Sequence, residues 1–165
     1  MKILFVTGPS FSGKSIYIRK EYSDATVVNL NVFKKVVECA DSNEELEQLA
    51  KNAYIYCREA LKNTIRAAKE DDTVILEAQL LSKRARAYYL EAVKEVTDTP
   101  VECVLMAPDE NKICTLLADH PTLISLHRYE KNKMESPSIE EGFAEVTVVF
   151  PEFEDTDWSQ LVRSC

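Results

Sequence analysis

Residues Gly8 to Ser15 read Gly-Pro-Ser-Phe-Ser-Gly-Lys-Ser, two glycines five positions apart followed at once by a lysine and a hydroxyl residue. A backbone that folds back so that successive N–H groups converge needs glycine wherever a Cβ would obstruct the turn. Such a nest binds anions, and a helix opening near Lys14 adds the partial positive charge of its N-terminus. In that arrangement Gly8, Ser10, Ser12 and Gly13 form the cradle, Lys14 reaches the outer phosphates of a nucleotide, and the Ser15 hydroxyl takes one position on Mg²⁺. The chain has only three glycines and two lie here, so the spacing is no by-product of a glycine-rich composition. The expected ligand is ATP or a related nucleotide.

Such a loop has to be held between a strand and a helix. Lys2 to Thr7 (KILFVT) is a nearly continuous apolar run, as in a strand buried on both faces of a parallel sheet. Ser15 to Glu21 then opens a helix. Further strands are expected over 25–30 (ATVVNL), 73–77 (TVILE), 101–106 (VECVLM) and 146–150 (VTVVF). Between them, helices are expected over 32–39, 42–69, 82–96, 108–117 and 125–133. Ser42 and Glu45 have the Ser-x-x-Glu spacing of a capping box. The helix behind them carries an apolar stripe of Leu46, Leu49, Ala53, Cys57, Ala60, Leu61, Ile65 and Ala68. Strands alternating with helices predict an α/β three-layer fold, a parallel five-stranded sheet with right-handed crossovers. One domain is expected over 1–150, with an acidic tail over 151–165 anchored by Trp158.

Composition narrows the function classes. A net charge of −8 argues against avid non-specific binding of nucleic acid, which needs a basic face. No run approaches the roughly 20 apolar residues of a membrane span, and the N-terminus lacks the pattern of a signal peptide. The five cysteines (Cys39, Cys57, Cys103, Cys114 and Cys165) are odd in number and show no CxxC pair. They read as free thiols, so the expected location is the reducing cytoplasm.

Beyond the loop the chain resembles the small P-loop kinases that include phage-type 5′-polynucleotide kinase. The likeness covers roughly residues 1–150. It rests on the opening strand and loop, on VVNLNVFKK (27–35), on VILEAQLLSKRAR (74–86) and on SPSIEEGFAEVTVV (136–149). It implies adenylate-kinase-like strand order 2-3-1-4-5 and a lid over about 107–135. It also implies transfer of the γ-phosphoryl group of MgATP to a hydroxyl of a small molecule or a nucleic-acid end.

Three departures bear on that chemistry. Where those kinases carry an aspartate that activates the acceptor and an arginine three residues later, this chain has Asn31 and Lys34. Asparagine takes up no proton, and its structural role would be a helix N-cap. The third strand ends in Glu77, at the mouth where ligands of parallel sheets bind. Glu77 would hold Mg²⁺ through water or serve as base; the plainer role is a carboxylate capping the next turn. The stretch Lys112 to Thr122 has no arginine. The nearest candidates for the lid side are His127, Arg128, Lys131 and Lys133, of which Arg128 is the candidate catalytic cation. Lys83, Arg84 and Arg86 form the one dense basic cluster, either a solvated helix start or the place for a substrate phosphate.

The leading expectation is therefore a phosphotransferase in which Lys14, Glu77 and Arg128 do the chemistry. The alternative is a degenerate nucleotide-binding module that acts as a ligand-stabilised switch or partner-binding protein. Simple hydrolysis ranks below both, because no water-positioning residue stands out.

Overall fold

A computed structural model describes residues 1–34 and 42–152 of the chain. Among the described residues there are five strands: β1 (Lys2–Thr7), β2 (Thr26–Asn29), β3 (Thr73–Glu77), β4 (Val101–Met106) and β5 (Glu145–Val149). They form one sheet in the order β2-β3-β1-β4-β5, every neighbouring pair parallel. This is the strand order and fold class expected. The five strands lie within one residue of their expected bounds, because short apolar runs flanked by polar residues leave little choice of register.

Strand alternation sends β1 to two cores. Ile3 and Phe5 face a cluster that includes Cys57, Leu61, Ile65, Tyr89, Leu90 and Val93 from the two helices on that side. Those helices are α3 (Asn43–Ala67) and α4 (Lys83–Lys94). Leu4 and Val6 face the other way, onto Ile18 of α1 (Lys14–Glu21). The inward stripe of α3 is Ala53, Cys57, Leu61 and Ile65, all buried, at a strict four-residue spacing. Ser42 caps α3 by accepting the Glu45 N–H at 3.2 Å. Cys57 and Cys103 are buried thiols without a disulfide. Burial pushes them up, to about 11 and about 12.

Helix α2 spans Leu30–Lys34; the rest of the helix expected over 32–39 lies outside the described residues, as do Trp158 and all but the start of the tail. The remaining helices among the described residues are α5 (Glu110–Leu116) and α6 (Pro121–Lys133), followed by a 3₁₀ turn at Ile139–Glu141. Helix α6 begins four residues earlier than expected because Pro121 sits in its first turn, where a missing N–H costs nothing. No helix among the described residues is long and apolar enough to cross a membrane.

Candidate nucleotide site

Strand β1 delivers the chain to Gly8 at the C-terminal edge of the sheet, and α1 leaves it at Lys14. Between them Gly8, Phe11 and Gly13 have positive φ (146°, 63° and 82°), so the backbone folds back on itself. A Cβ on Gly8 would stand 2.8 Å from the Met106 carbonyl oxygen and 2.9 Å from Ser12 Oγ. Phe11, not glycine, occupies a left-handed position, and its buried ring explains why. It packs with Ile113 of α5 and with Leu117, so burial offsets the backbone strain.

Lys14 is buried and lies along the inside of the loop. Its Nζ donates to the carbonyl oxygens of Gly8 (3.0 Å) and Pro9 (2.8 Å) and approaches Ser12 Oγ at 3.4 Å. The ammonium is thus held by neutral oxygens at the point where the loop curls over.

Ser15, one residue on, points toward β3. Its hydroxyl donates to Glu77 Oε1, and the other carboxylate oxygen accepts from Asn29 Nδ2 at 2.9 Å. Strand register explains the meeting, since Val6 and Asn29 both pair with Glu77. Glu77 is 5% exposed, and both its oxygens have partners, as a buried carboxylate requires. Asn29 Oδ1 in turn accepts the Asn31 N–H at 2.8 Å, and Asn31 Oδ1 lies 3.3 Å from Gln79 Nε2. The side chain that caps the turn into α2 is therefore Asn29, not Asn31, which already lies within that helix. The Gln79 carbonyl oxygen returns to the loop, accepting from Thr7 Oγ1 and from the Gly8 N–H at 3.4 Å. A polar chain thus runs from Ser15 through Glu77, Asn29, Asn31 and Gln79 back to Gly8. Sequence reasoning missed Asn29; its signal was the end of β2 falling beside an acidic strand end.

Helix α6 closes the loop from above. The Ser10 N–H donates to Glu130 Oε2, and His127 Nδ1 lies 2.7 Å from the Ser10 carbonyl oxygen. Arg128 sits on another face of α6. Its side chain, 55% exposed, donates through Nε to Glu110 Oε1 at 2.9 Å and lies 3.2 Å from Cys114 Sγ. Lys131 bonds the other oxygen of Glu110 at 2.8 Å. Lys131 and then Arg128 hold the Glu110 carboxyl below its usual range.

The basic cluster on α4 divides. Lys83 and Arg84 are exposed, the solvated helix start. Arg86 is completely buried and takes Glu141 in a fork, Nε to Oε2 at 2.6 Å and Nη2 to Oε1 at 2.8 Å. A third bond runs from Nη1 to the Leu80 carbonyl oxygen at 2.9 Å, so each of the three guanidinium nitrogens has a partner inside the protein. Arg86 ties α4 to the 3₁₀ turn and is not open to a substrate phosphate, which corrects that expectation.

Among the described residues no group of three or more His, Cys, Asp and Glu side chains is placed to hold a metal. One carboxylate and one hydroxyl, Glu77 and Ser15, do suit Mg²⁺, which takes hard oxygens and commonly keeps waters and phosphate oxygens for its other positions. The narrow approach at Gly8 and the inward N-terminus of α1 suit the phosphates.

No protein-family model and no curated protein matches the sequence. The fold is similar to solved structures over nearly their full length. A gluconokinase from Sinorhizobium meliloti 1021 has TM-score 0.56 and 14% identity, over 98% of this chain and 87% of that one. Kti12 from Chaetomium thermophilum, in complex with ADP-AlF3, has TM-score 0.58 and 16% identity, over 98% and 94%. The Mycobacterium tuberculosis APS kinase CysC, in complex with AMPPNP and APS, has TM-score 0.56 and 13% identity, over 99% and 94%. At such identities the shared property is the fold alone, and the names of these proteins assign no activity to this chain.

Proposed function

We propose that this chain is an ATP-dependent phosphotransferase that moves the γ-phosphoryl group to a hydroxyl acceptor, a small molecule or the end of a nucleic acid. The observation that carries the reading is the joint placement of a buried Lys14 inside a narrow loop and Ser15 against the Glu77 carboxylate. Lys14 exchanges its loop carbonyls for phosphate oxygens. Ser15 and Glu77 hold Mg²⁺, which when bound offsets charge on the outer phosphates. Residues 107–135 act as the lid of a unit spanning 1–150, and Arg128 serves the transfer once it leaves Glu110. A cytoplasmic location fits this substrate and the free thiols.

A second reading has support from two observations. Asn29 and Asn31 leave the end of β2 without a proton acceptor, and Arg128 is engaged with Glu110 rather than the loop. Both fit a module that binds nucleotide without efficient turnover. Thermal shift with MgATP beside a phosphate-transfer assay over a broad acceptor panel separates the two, with Lys14→Ala as control. A shift with acceptor-stimulated turnover, both lost in Lys14→Ala, supports the phosphotransferase. A shift without turnover supports the binding module, and no shift overturns both.

A further inference from the structure

Helix α6 sets His127 and Glu130 one turn apart, both against Ser10 of the loop. A carbonyl oxygen only accepts, so the short contact between Nδ1 and Ser10 assigns the ring proton to Nδ1. In the neutral ring Nε2 is then a bare lone pair. His127 is 1% exposed, and Nε2 has no partner among the described residues. A buried acceptor left open in this way calls for an explanation. Burial also lowers the pKa of the ring from its ordinary 6.5. Of the charged groups facing it, Lys131 acts in the same direction, while Glu110 and Glu130 oppose it, as does the bond to Ser10.

His127 also lines a cleft of about 220 Å³, walled by Pro9 of the loop, by Met106 at the end of β4, by Pro108 beyond it and by Met134, with Lys131 also lining it. Its walls are mostly apolar and its size suits a small neutral molecule better than a phosphorylated chain. A ligand group meeting a lone pair has to be a donor, an O–H or N–H.

We propose that this cleft receives a small neutral molecule bearing a hydroxyl, and that His127 Nε2 takes the proton of that hydroxyl as it accepts the γ-phosphoryl group of ATP held on the loop. The proposal rests on the phosphotransferase reading above. The acceptor oxygen forms a bond to the γ-phosphorus, and the bond from that phosphorus to the β,γ-bridging oxygen breaks. ADP leaves with the electron pair, and the hydroxyl proton passes to Nε2, giving an imidazolium that returns it to solvent. The Ser10 carbonyl fixes the tautomer and the ring plane, as a base requires of its orienting partner. The proton acceptor missing from the end of β2 is thereby supplied by α6.

The test uses the full chain with MgATP and a panel of water, glycerol, short neutral polyols and neutral sugars. His127→Asn keeps a short amide donor toward Ser10, and His127→Gln keeps a polar atom near the position of Nε2. Both variants are expected to melt like the wild type and to bind MgATP within about threefold. Product formation falls by about 100-fold or more in each, and the acidic limb of the wild-type pH profile disappears. Nitrogen-15 NMR of the wild type at pH 7 shows a neutral ring protonated on Nδ1, independent of any activity. The proposal is overturned by an Nε2–H tautomer or an imidazolium at pH 7, and equally by near-wild-type turnover in either folded variant. Loss of MgATP binding along with turnover in the variants, or no product from the panel in a wild type that binds MgATP, also overturns it. A wild type that fails to bind MgATP removes the phosphotransferase reading itself. If neither variant folds, the wild-type NMR spectrum and panel decide.

Discussion

Gly8 shows how little room the loop leaves. With φ at 146° and two heavy atoms within 3 Å of any added Cβ, Gly8→Ala has to displace either the Met106 carbonyl or Ser12. It is expected to cost about 1–3 kcal/mol of stability and to abolish the MgATP-induced thermal shift, measured by urea unfolding and melting on one sample. A variant with wild-type stability and binding would show that the close approach is not required. His127 offers a second residue-scale check. Its pKa is lowered in the folded chain, so the unfolded chain binds the proton more readily. The group's contribution is therefore complete above about pH 6.5 and is lost as pH falls toward the depressed folded value. Wild type is expected to lose stability relative to His127→Asn below that pH, by up to about 1.4 kcal/mol per pH unit. Parallel urea curves of the two proteins from pH 7.5 to 5.5 would refute this.

At the scale of elements, Arg86 and Glu141 are the only described ion pair whose basic member is completely buried. Arg86→Met strands a buried carboxylate and is expected to cost about 3–5 kcal/mol. Adding Glu141→Leu is expected to restore most of the loss, because a buried pair gains little over an apolar replacement. A double variant no more stable than Arg86→Met in urea would refute that account. This pair also marks where sequence reading stopped. The inner strands β1 and β3 were legible because burial on both faces forces continuous apolar runs, and α3 because its stripe repeats every turn. The loop was legible because its fixed residues are adjacent. Arg86 was not, since the partner that neutralises it is 55 positions away and a basic run looks the same whether solvated or paired. The roles of Asn29, His127 and Glu130 depend likewise on which element lands beside which, and Glu130 gives no local signal at all. The start of α6 lies four residues before the expected 125 because Pro121 occupies its first turn.

For the whole molecule, the parts of the site come from widely spaced stretches: the loop after β1, the ends of β2 and β3, and α6. Their relative positions are fixed by the two cores, one on each face of the sheet, whose central strand is β1. The third cluster, Phe11 with Ile113 and Leu117, is separate and lies at the site itself. Phe11→Ala is expected to cost about 3–5 kcal/mol if α5 stays docked. Amide exchange should rise first in α5 and α6 while β1, β3 and β4 stay protected, which hydrogen-exchange mass spectrometry would show. Uniform loss of protection would instead mean that the cluster is part of the main core.

That cluster has a consequence for how the protein meets its ligand. Because Phe11 belongs to the loop yet lodges among residues of α5 and α6, the loop and the helices that roof it are pinned together by one aromatic ring. A nucleotide that reshapes the loop therefore moves the roof through a rigid peg rather than through a hinge, and the two answer the ligand as a single body.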